Sequence, residues 1–392
     1  MRPIDAAWAE FLRFSPGPPK DVRLFYAPGR VNLIGEHLDY NGGPVLPAAL
    51  SLGLWLFVRP RRDRVSRFAS QAFRGVATAE VGDMATGSPG DFANYPKGVY
   101  RAIAEVAIGP LAAADFYYAG DLPLGAGLAS SAAVEVATAL ALSSLGHLDL
   151  AGEEICRLAQ RAETEFARVQ CGVMDQFAVS MGRRDHAILL DTGSLQATYI
   201  PMPLAEHRLV LAHSGKSREL HASPYNERRA ECGVALREVR RLRPQIRHLA
   251  DLRSDPGAAE LVLEPVLRKR LRHVLTETQR VTEAADALRR GDLEGFGALW
   301  RLSHRSLRED FEVTGPELDC LAEAAWRVEG CLGSRMTGAG FGGCTVSLVR
   351  RDAVEEFKRR VEADYRQRTG LEATFWVSDV AAGAREVTNE VT

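Results

Sequence analysis

Arg30, Glu36, His37 and Asp39 stand within ten residues of one another, among glycines at 29, 35, 42 and 43. A guanidinium, two carboxylates and an imidazole at that density can coordinate several hydroxyls of a sugar, although a charged surface loop would use the same residue types. If the strand stays regular, alternation puts Arg30 and Glu36 on one side. Farther along, Glu163 and Asp175 lie on either side of Cys171-Gly172-Val173-Met174. Two acids near a glycine turn suit a metal ligand and an acid/base group, or equally a helix-surface acid and an N-cap. Between these clusters come Gly125-Ala126-Gly127 and then Ser130-Ser131, ahead of a helix-forming run. Glycines let the backbone approach a ligand. A helix start gathers unpaired N–H groups and the positive end of the dipole, which together bind phosphate. A serine hydroxyl there suits Mg2+, which prefers hard oxygen ligands; the plainer alternative is an ordinary turn and N-cap. A third segment, Thr337-Gly338-Ala339-Gly340-Phe341-Gly342-Gly343, reads as a loop closing over the mouth of a site.

Two nucleotide motifs fail on inspection. Gly215-Lys216-Ser217 has the end of a P-loop, but the glycine required five residues earlier is Val210. Gly338-x-Gly340-x-x-Gly343 has the dinucleotide spacing, but it precedes the strand pattern Cys344-Thr345-Val346-Ser347-Leu348-Val349 where a helix is needed. A dinucleotide oxidoreductase is disfavoured on that ground.

The elements that must hold these groups follow from periodicity and turn chemistry. A short helix is expected within residues 1–20, with strands at 24–27, 31–35, 52–58 and 116–119. A helix over 130–145 would start at Ser130 or Ser131 and end at Gly146. Further expectations are a helix at 153–167, strands at 186–191 and 208–212, and helical segments at 225–290, 292–310 and 317–330. Strands at 345–349 and 374–377 would flank a helix at 353–368. The class is α+β with two domains, 1–190 and 191–392. At 46% hydrophobic and 26% charged residues the composition is that of a globular chain. A net charge of −2 gives no general attraction to nucleic acid or an acidic membrane, and the basic clusters at 59–64 and 237–247 read as solvated faces. The six cysteines lack zinc or disulfide-scaffold spacing, so free thiols in a reducing cytoplasm are expected. Residues 1–10 carry no secretory signal pattern. The apolar run at 132–142 contains Glu135 and is too short to span a bilayer.

Together, and in this order, the three glycine-rich segments resemble the motifs of the GHMP kinases, in their details those of the galactokinase branch. Residues 29–43 depart from that family's first signature only at Leu38, where threonine is usual. The second motif, 123–132, has Ala129 in place of a serine, and the third, 334–344, has Ala339 in place of a glycine. Residues 94–99, 171–177 and 303–308 are similar as well, so the resemblance spans nearly the whole chain. It implies the two-domain GHMP kinase fold with the active site between the domains. It also implies ATP-dependent phosphorylation of the anomeric hydroxyl of galactose, with Mg2+. Arg30 and Asp175 would be the catalytic pair; Glu36, His37, Asp39, Gly172 and Tyr225 would bind the sugar. Gly125, Gly127, Leu128, Ala129, Ser130 and Ser131 would hold the phosphates, Asn94 and Tyr95 would lie near the adenine, and Ser131 and Glu163 would ligate Mg2+. The expected partners are a sugar and ATP, with no nucleic acid or membrane, for a cytoplasmic monomer. Leu38 leaves N-acetylgalactosamine or another sugar open as the substrate; a non-catalytic galactose/ATP sensor is the reading from another class. Arg168 stands where a glycine is usual, and 213–218 fits the family poorly. Phosphoryl transfer rests mainly on positioning and charge stabilisation. Asp175, beside Arg30, is therefore expected to orient the hydroxyl first and take its proton late.

Overall fold

Ile4, Ala7 and Phe11 recur at helical spacing and form the buried face of the first helix, α1 (Pro3–Phe14). They pack on Leu24, Phe57 and Tyr117 of a six-stranded sheet. The computed structural model describes residues 3–88, 90–168, 171–216, 224–255 and 257–388.

In chain order the strands of the first half are β1 (Arg23–Asn32), β2 (Pro44–Val45), β3 (Pro47–Pro60), β4 (Val65–Ser70), β5 (Val76–Glu80), β6 (Ala114–Gly120), β7 (His186–Asp191) and β8 (Gln196–Pro201). Those of the second half are β9 (His207–His213), β10 (Cys331–Thr337), β11 (Cys344–Arg350), β12 (Thr374–Ser378) and β13 (Arg385–Glu386). The large sheet has the order β13-β1-β3-β6-β4-β5, with β4 and β6 its parallel pair. A four-stranded antiparallel sheet, β10-β11-β9-β12, belongs to the second half, and β2-β7-β8 form a third, small sheet. Strand β1 is buried almost end to end. Such a strand is covered on both faces and reads as a continuous apolar run rather than as an alternation.

Helices α2 (Asn94–Ala104), α3 (Ser130–Gly146), α4 (Gly152–Arg161) and α5 (Met174–Met181) pack against one another, and α3 and α5 lie on β1. Alanines at 132, 133, 137, 139 and 141 let α3 be buried nearly all round. The second half supplies α6 (Pro224–Leu242), α7 (Pro265–Arg289), α8 (Leu293–Ser306), α9 (Gly315–Trp326) and α10 (Val354–Thr369). Helices α4 and α8 each run on into one π-helical turn, Ala162–Phe166 and Leu307–Phe311. Such turns gather at functional sites.

The long elements lie where periodicity puts them; several short ones do not. The two strands expected at 24–27 and 31–35 are one strand, β1, with an irregular register between Pro28 and Arg30. Beyond Asn32 the extended geometry stops, and Gly35 turns with φ +106°. Arg30 and Glu36 therefore do not share a strand face. The division placed after residue 190 falls inside the β7–β8 hairpin, and β13 returns to pair with β1 in the first sheet. None of the six cysteines forms a disulfide among the described residues. No helix among the described residues is long and apolar enough to cross a membrane.

Candidate active site

Arg30 leaves β1 close to the glycine loop ahead of α3. Gly29 makes that approach possible, because a Cβ there would stand 2.3 Å from Leu122 and 3.0 Å from the Leu128 carbonyl. The Arg30 backbone N–H donates to Leu128 O (3.1 Å), and its Nη1 donates to Gly127 O (2.6 Å). The other edge of the guanidinium forms a two-bond fork to Asp175, Nε to Oδ1 at 2.7 Å and Nη2 to Oδ2 at 2.6 Å. Parallel bonds of this kind fix orientation as well as distance. Asp175 sits in the first turn of α5. Arg30 is 5% exposed, so the pair is closed to solvent on the arginine side.

The loop that Arg30 touches holds Gly125, Gly127 and Ala129 in the left-handed region, at φ +70°, +78° and +62°. Ala129 precedes α3 and offers no side-chain cap, so the first N–H groups of this 17-residue helix have no protein partner from the cap. Ser131 in that turn lies beside Glu163, which the π turn after α4 carries into the interior. Glu163 is 5% exposed. Burial pushes its carboxyl up; Ser131 pulls back and the Asp175 charge adds to the rise. Glu163 Oε2 accepts from Gln176 Nε2 (2.5 Å) and Cys171 Sγ (3.4 Å). Gln176 Nε2 also donates to Glu135 Oε2 (3.1 Å). Glu135 is fully buried and its carboxyl is held well above the usual range, by burial first and the Glu163 charge second.

On the other side of Asp175 lies Asp39. Burial, then the Asp175 charge, pushes the Asp39 carboxyl up to about 6. Gly172 presses against it: a Cβ at 172 would be 2.1 Å from Asp39 Oδ2, so no larger residue fits without moving the acid. Tyr225, at the start of α6, is 5.8 Å from the Tyr40 ring and 5.7 Å from His37. His37 also packs on Phe311 from the second π turn, at 4.6 Å. Burial and the neighbouring His273 keep the His37 imidazole neutral, and its Nδ1 pairs with Tyr40 Oη at 2.9 Å.

Two sequence readings need amendment, the shared side of Arg30 and Glu36 and the place of Leu38. Glu36 is turned away from Arg30. It forms an ion pair with the fully buried Arg335 of β10, and its Oε1 accepts from Gly338 N (3.2 Å). Its carboxylate thus clasps the third glycine segment. The Asn94 amide is already used, accepting from Gly87 N (2.7 Å) and donating to Ser88 O (2.9 Å). Burial, then the charges of Glu163 and Glu135, push the Tyr95 phenol up. Leu38 is fully buried, packed under Gly43, and is not a pocket wall. Of the poorly fitting stretch 213–218, Ser217 and Arg218 lie outside the described residues. Sequence reasoning passed over Gln176, Glu135 and Arg335. Glu135 had a signal: it is the lone acid in an apolar helix, one turn after Ser131.

Family models match most of this framework: the GHMP kinases N terminal domain over residues 94–183, the galactokinase galactose-binding signature over 10–60 and the GHMP kinases C terminal over 284–367. Fold, glycine loop and closing segment define a GHMP kinase. The Lactiplantibacillus plantarum galactokinase is 43% identical over 372 residues, 94% of this chain and 96% of its own. The Halalkalibacterium halodurans galactokinase is 41% identical over 368 residues, 93% of each chain. The crystal structure of Lactococcus lactis galactokinase complexed with galactose superposes with a TM-score of 0.93 at 36% identity, covering 98% of this chain and 100% of that one. The chain belongs to the galactokinase family.

Proposed function

We propose that this chain transfers the γ-phosphoryl group of ATP to the anomeric hydroxyl of galactose, giving galactose 1-phosphate and ADP. One observation carries the reading: the Arg30–Asp175 fork joins a polar pocket to a phosphate-type loop. On one side Asp39, Gly172 and Tyr225 offer acceptors and an aromatic wall for sugar hydroxyls. On the other, Gly127 and the start of α3 offer backbone N–H groups to phosphate oxygens.

Asp175 accepts a hydrogen bond from the anomeric hydroxyl and aims its oxygen at the phosphorus. Arg30 holds that carboxylate in place and meets charge growing on the transferring group. The proton passes to Asp175 late, because a loose transition state needs little early deprotonation. Ser131 and Glu163 suit Mg2+: a hydroxyl and a carboxylate lie side by side, with burial and the charge of Asp175 raising the carboxyl. The described residues contain no group of three or more acid, His or Cys side chains placed for a metal. A cation held here would therefore complete its shell from phosphate and water, as Mg2+ commonly does. When bound, it would neutralise charge on the β- and γ-phosphates. The chain acts as a cytoplasmic monomer in this reading.

The burial of Leu38 removes the reason for preferring another sugar. A coupled ADP-release assay with galactose, N-acetylgalactosamine, glucose and arabinose tests the reading. Galactose is expected to give the highest kcat/KM. No galactose-dependent ADP above the sugar-free rate would overturn it.

A further inference from the structure

The Gln176 side chain is fully buried between two acids, and its NH2 group faces both of them. Its two hydrogens go to different helices' acids, Glu163 Oε2 at 2.5 Å and Glu135 Oε2 at 3.1 Å. Glu163 Oε2 also takes the Cys171 thiol, so that oxygen is filled by protein. Ser131, in the first turn of α3, lies beside the same carboxylate. Turning Glu163 about its last bond would break the Gln176 and Cys171 contacts together.

Glu135 stands one helical turn after Ser131 on α3, on the same face. Gln176 follows Asp175 directly on α5. One amide thus ties together the two helices that bear Ser131 and Asp175 and the π turn that bears Glu163. Gln176 Oε1 and Glu135 Oε1 are buried without a hydrogen-bond partner. This arrangement is costly in a core, and it is more than packing alone requires.

We infer that Gln176, locked by Glu135, is the positioning residue that fixes the Glu163 carboxylate through its Oε2 and so sets the affinity of the cation site. The inference rests on the proposal that Ser131 and Glu163 hold the cation. Partners behind a metal ligand typically change metal affinity by about 10–100-fold.

The test is Mn2+ binding to the protein–ADP complex, followed by electron paramagnetic resonance, with galactose affinity measured by calorimetry without metal. Gln176→Met keeps length and bulk while deleting both N–H groups. It is expected to weaken Mn2+ at least about tenfold and to leave galactose affinity within about twofold. Glu135→Met should act in the same direction, whereas Glu135→Gln, which keeps an acceptor for Gln176, should retain Mn2+ affinity. Unchanged Mn2+ affinity in folded Gln176→Met overturns the inference, as does an equal loss of Mn2+ and galactose affinity. If Gln176→Met does not fold, the two Glu135 variants decide, and equal Mn2+ affinity in both overturns it. Glu163→Ala separates the layers. If it leaves Mn2+ binding intact, the cation reading itself fails; if it abolishes binding while Gln176→Met does not, only the positioning role fails.

Discussion

Asp39 and Asp175 are two carboxylates asked to do different things, and their surroundings differ accordingly. Asp175 is held by a guanidinium fork, whereas Asp39 has its carboxyl pushed up to about 6 from 3.8 by burial and by Asp175. A folded-state pKa above the unfolded one means that ionising Asp39 opposes folding. The penalty is absent below about pH 4 and complete above about pH 6. Asp39→Asn should therefore be more stable than the parent near pH 8, by at most about 3 kcal/mol and less because the acid keeps some solvent contact. The gain should vanish near pH 4, and galactose affinity should fall. Urea unfolding at the two pH values, with calorimetry for the sugar, checks both. Asp175→Asn should lower kcat by about 10²–10⁴-fold with galactose binding retained; a near-normal kcat in single-turnover assays would remove Asp175 from the chemistry. Arg30 and Asp175 could be picked out from residue type and motif. The true partner of Glu36 could not: Arg335 lies 299 positions away, and nothing local in the sequence links a buried arginine in one strand to a turn in another half of the chain.

At the scale of elements, α3 and the loop before it were legible because glycines, serines and an apolar run fall in a fixed order. Strands β4, β5, β8 and β10 and the short helices α2 and α5 were not. Strand β5 alternates exposed and half-buried residues with little apolar contrast, and α5 is only eight residues long, too short for periodicity to declare itself. The π turn at Ala162–Phe166 is also silent in the sequence, since its extra residue is set by packing. One departure from the family now has a physical meaning. Arg168 lies at φ +60°, a conformation glycine adopts freely and other residues adopt at a cost. Arg168→Gly should stabilise the chain by about 1 kcal/mol or less, after the greater flexibility of glycine in the unfolded chain is counted. A rise in thermal midpoint is the readout, and an unchanged or lowered midpoint would show that the arginine side chain compensates the strain.

At the scale of the molecule, the two halves are joined by a fully buried charge network. Arg335 Nη1 donates to the carbonyls of Asn32 (3.3 Å) and Leu33 (3.0 Å) while its Nη2 pairs with Glu36. Glu277 Oε1 takes the Gly35 N–H (3.1 Å) and the Ser303 hydroxyl (2.5 Å). Removing one member strands its partner. Arg335→Met is expected to cost about 3–5 kcal/mol in chemical denaturation, and the double change with Glu36→Met to recover a large part of it. A double mutant no more stable than Arg335→Met would mean that the arginine works through the backbone carbonyls. The α+β class and the order of the motifs were legible from end to end. The place where one half gives way to the other was less so, because the chain crosses between sheets more than once.

That crossing has a consequence for how the protein comes into being. The strand bearing Arg30 is paired along one edge by Phe25 with Glu386 and Tyr26 with Arg385, and Val387 N reaches Leu24 O at 2.8 Å. These last pairings join residues far apart along the sequence. During translation the first sheet must wait, one border unfilled, until residues 385 and 386 have been made. A chain cut short before residue 385 would carry all the motifs of a kinase and still present an open strand edge to its neighbours.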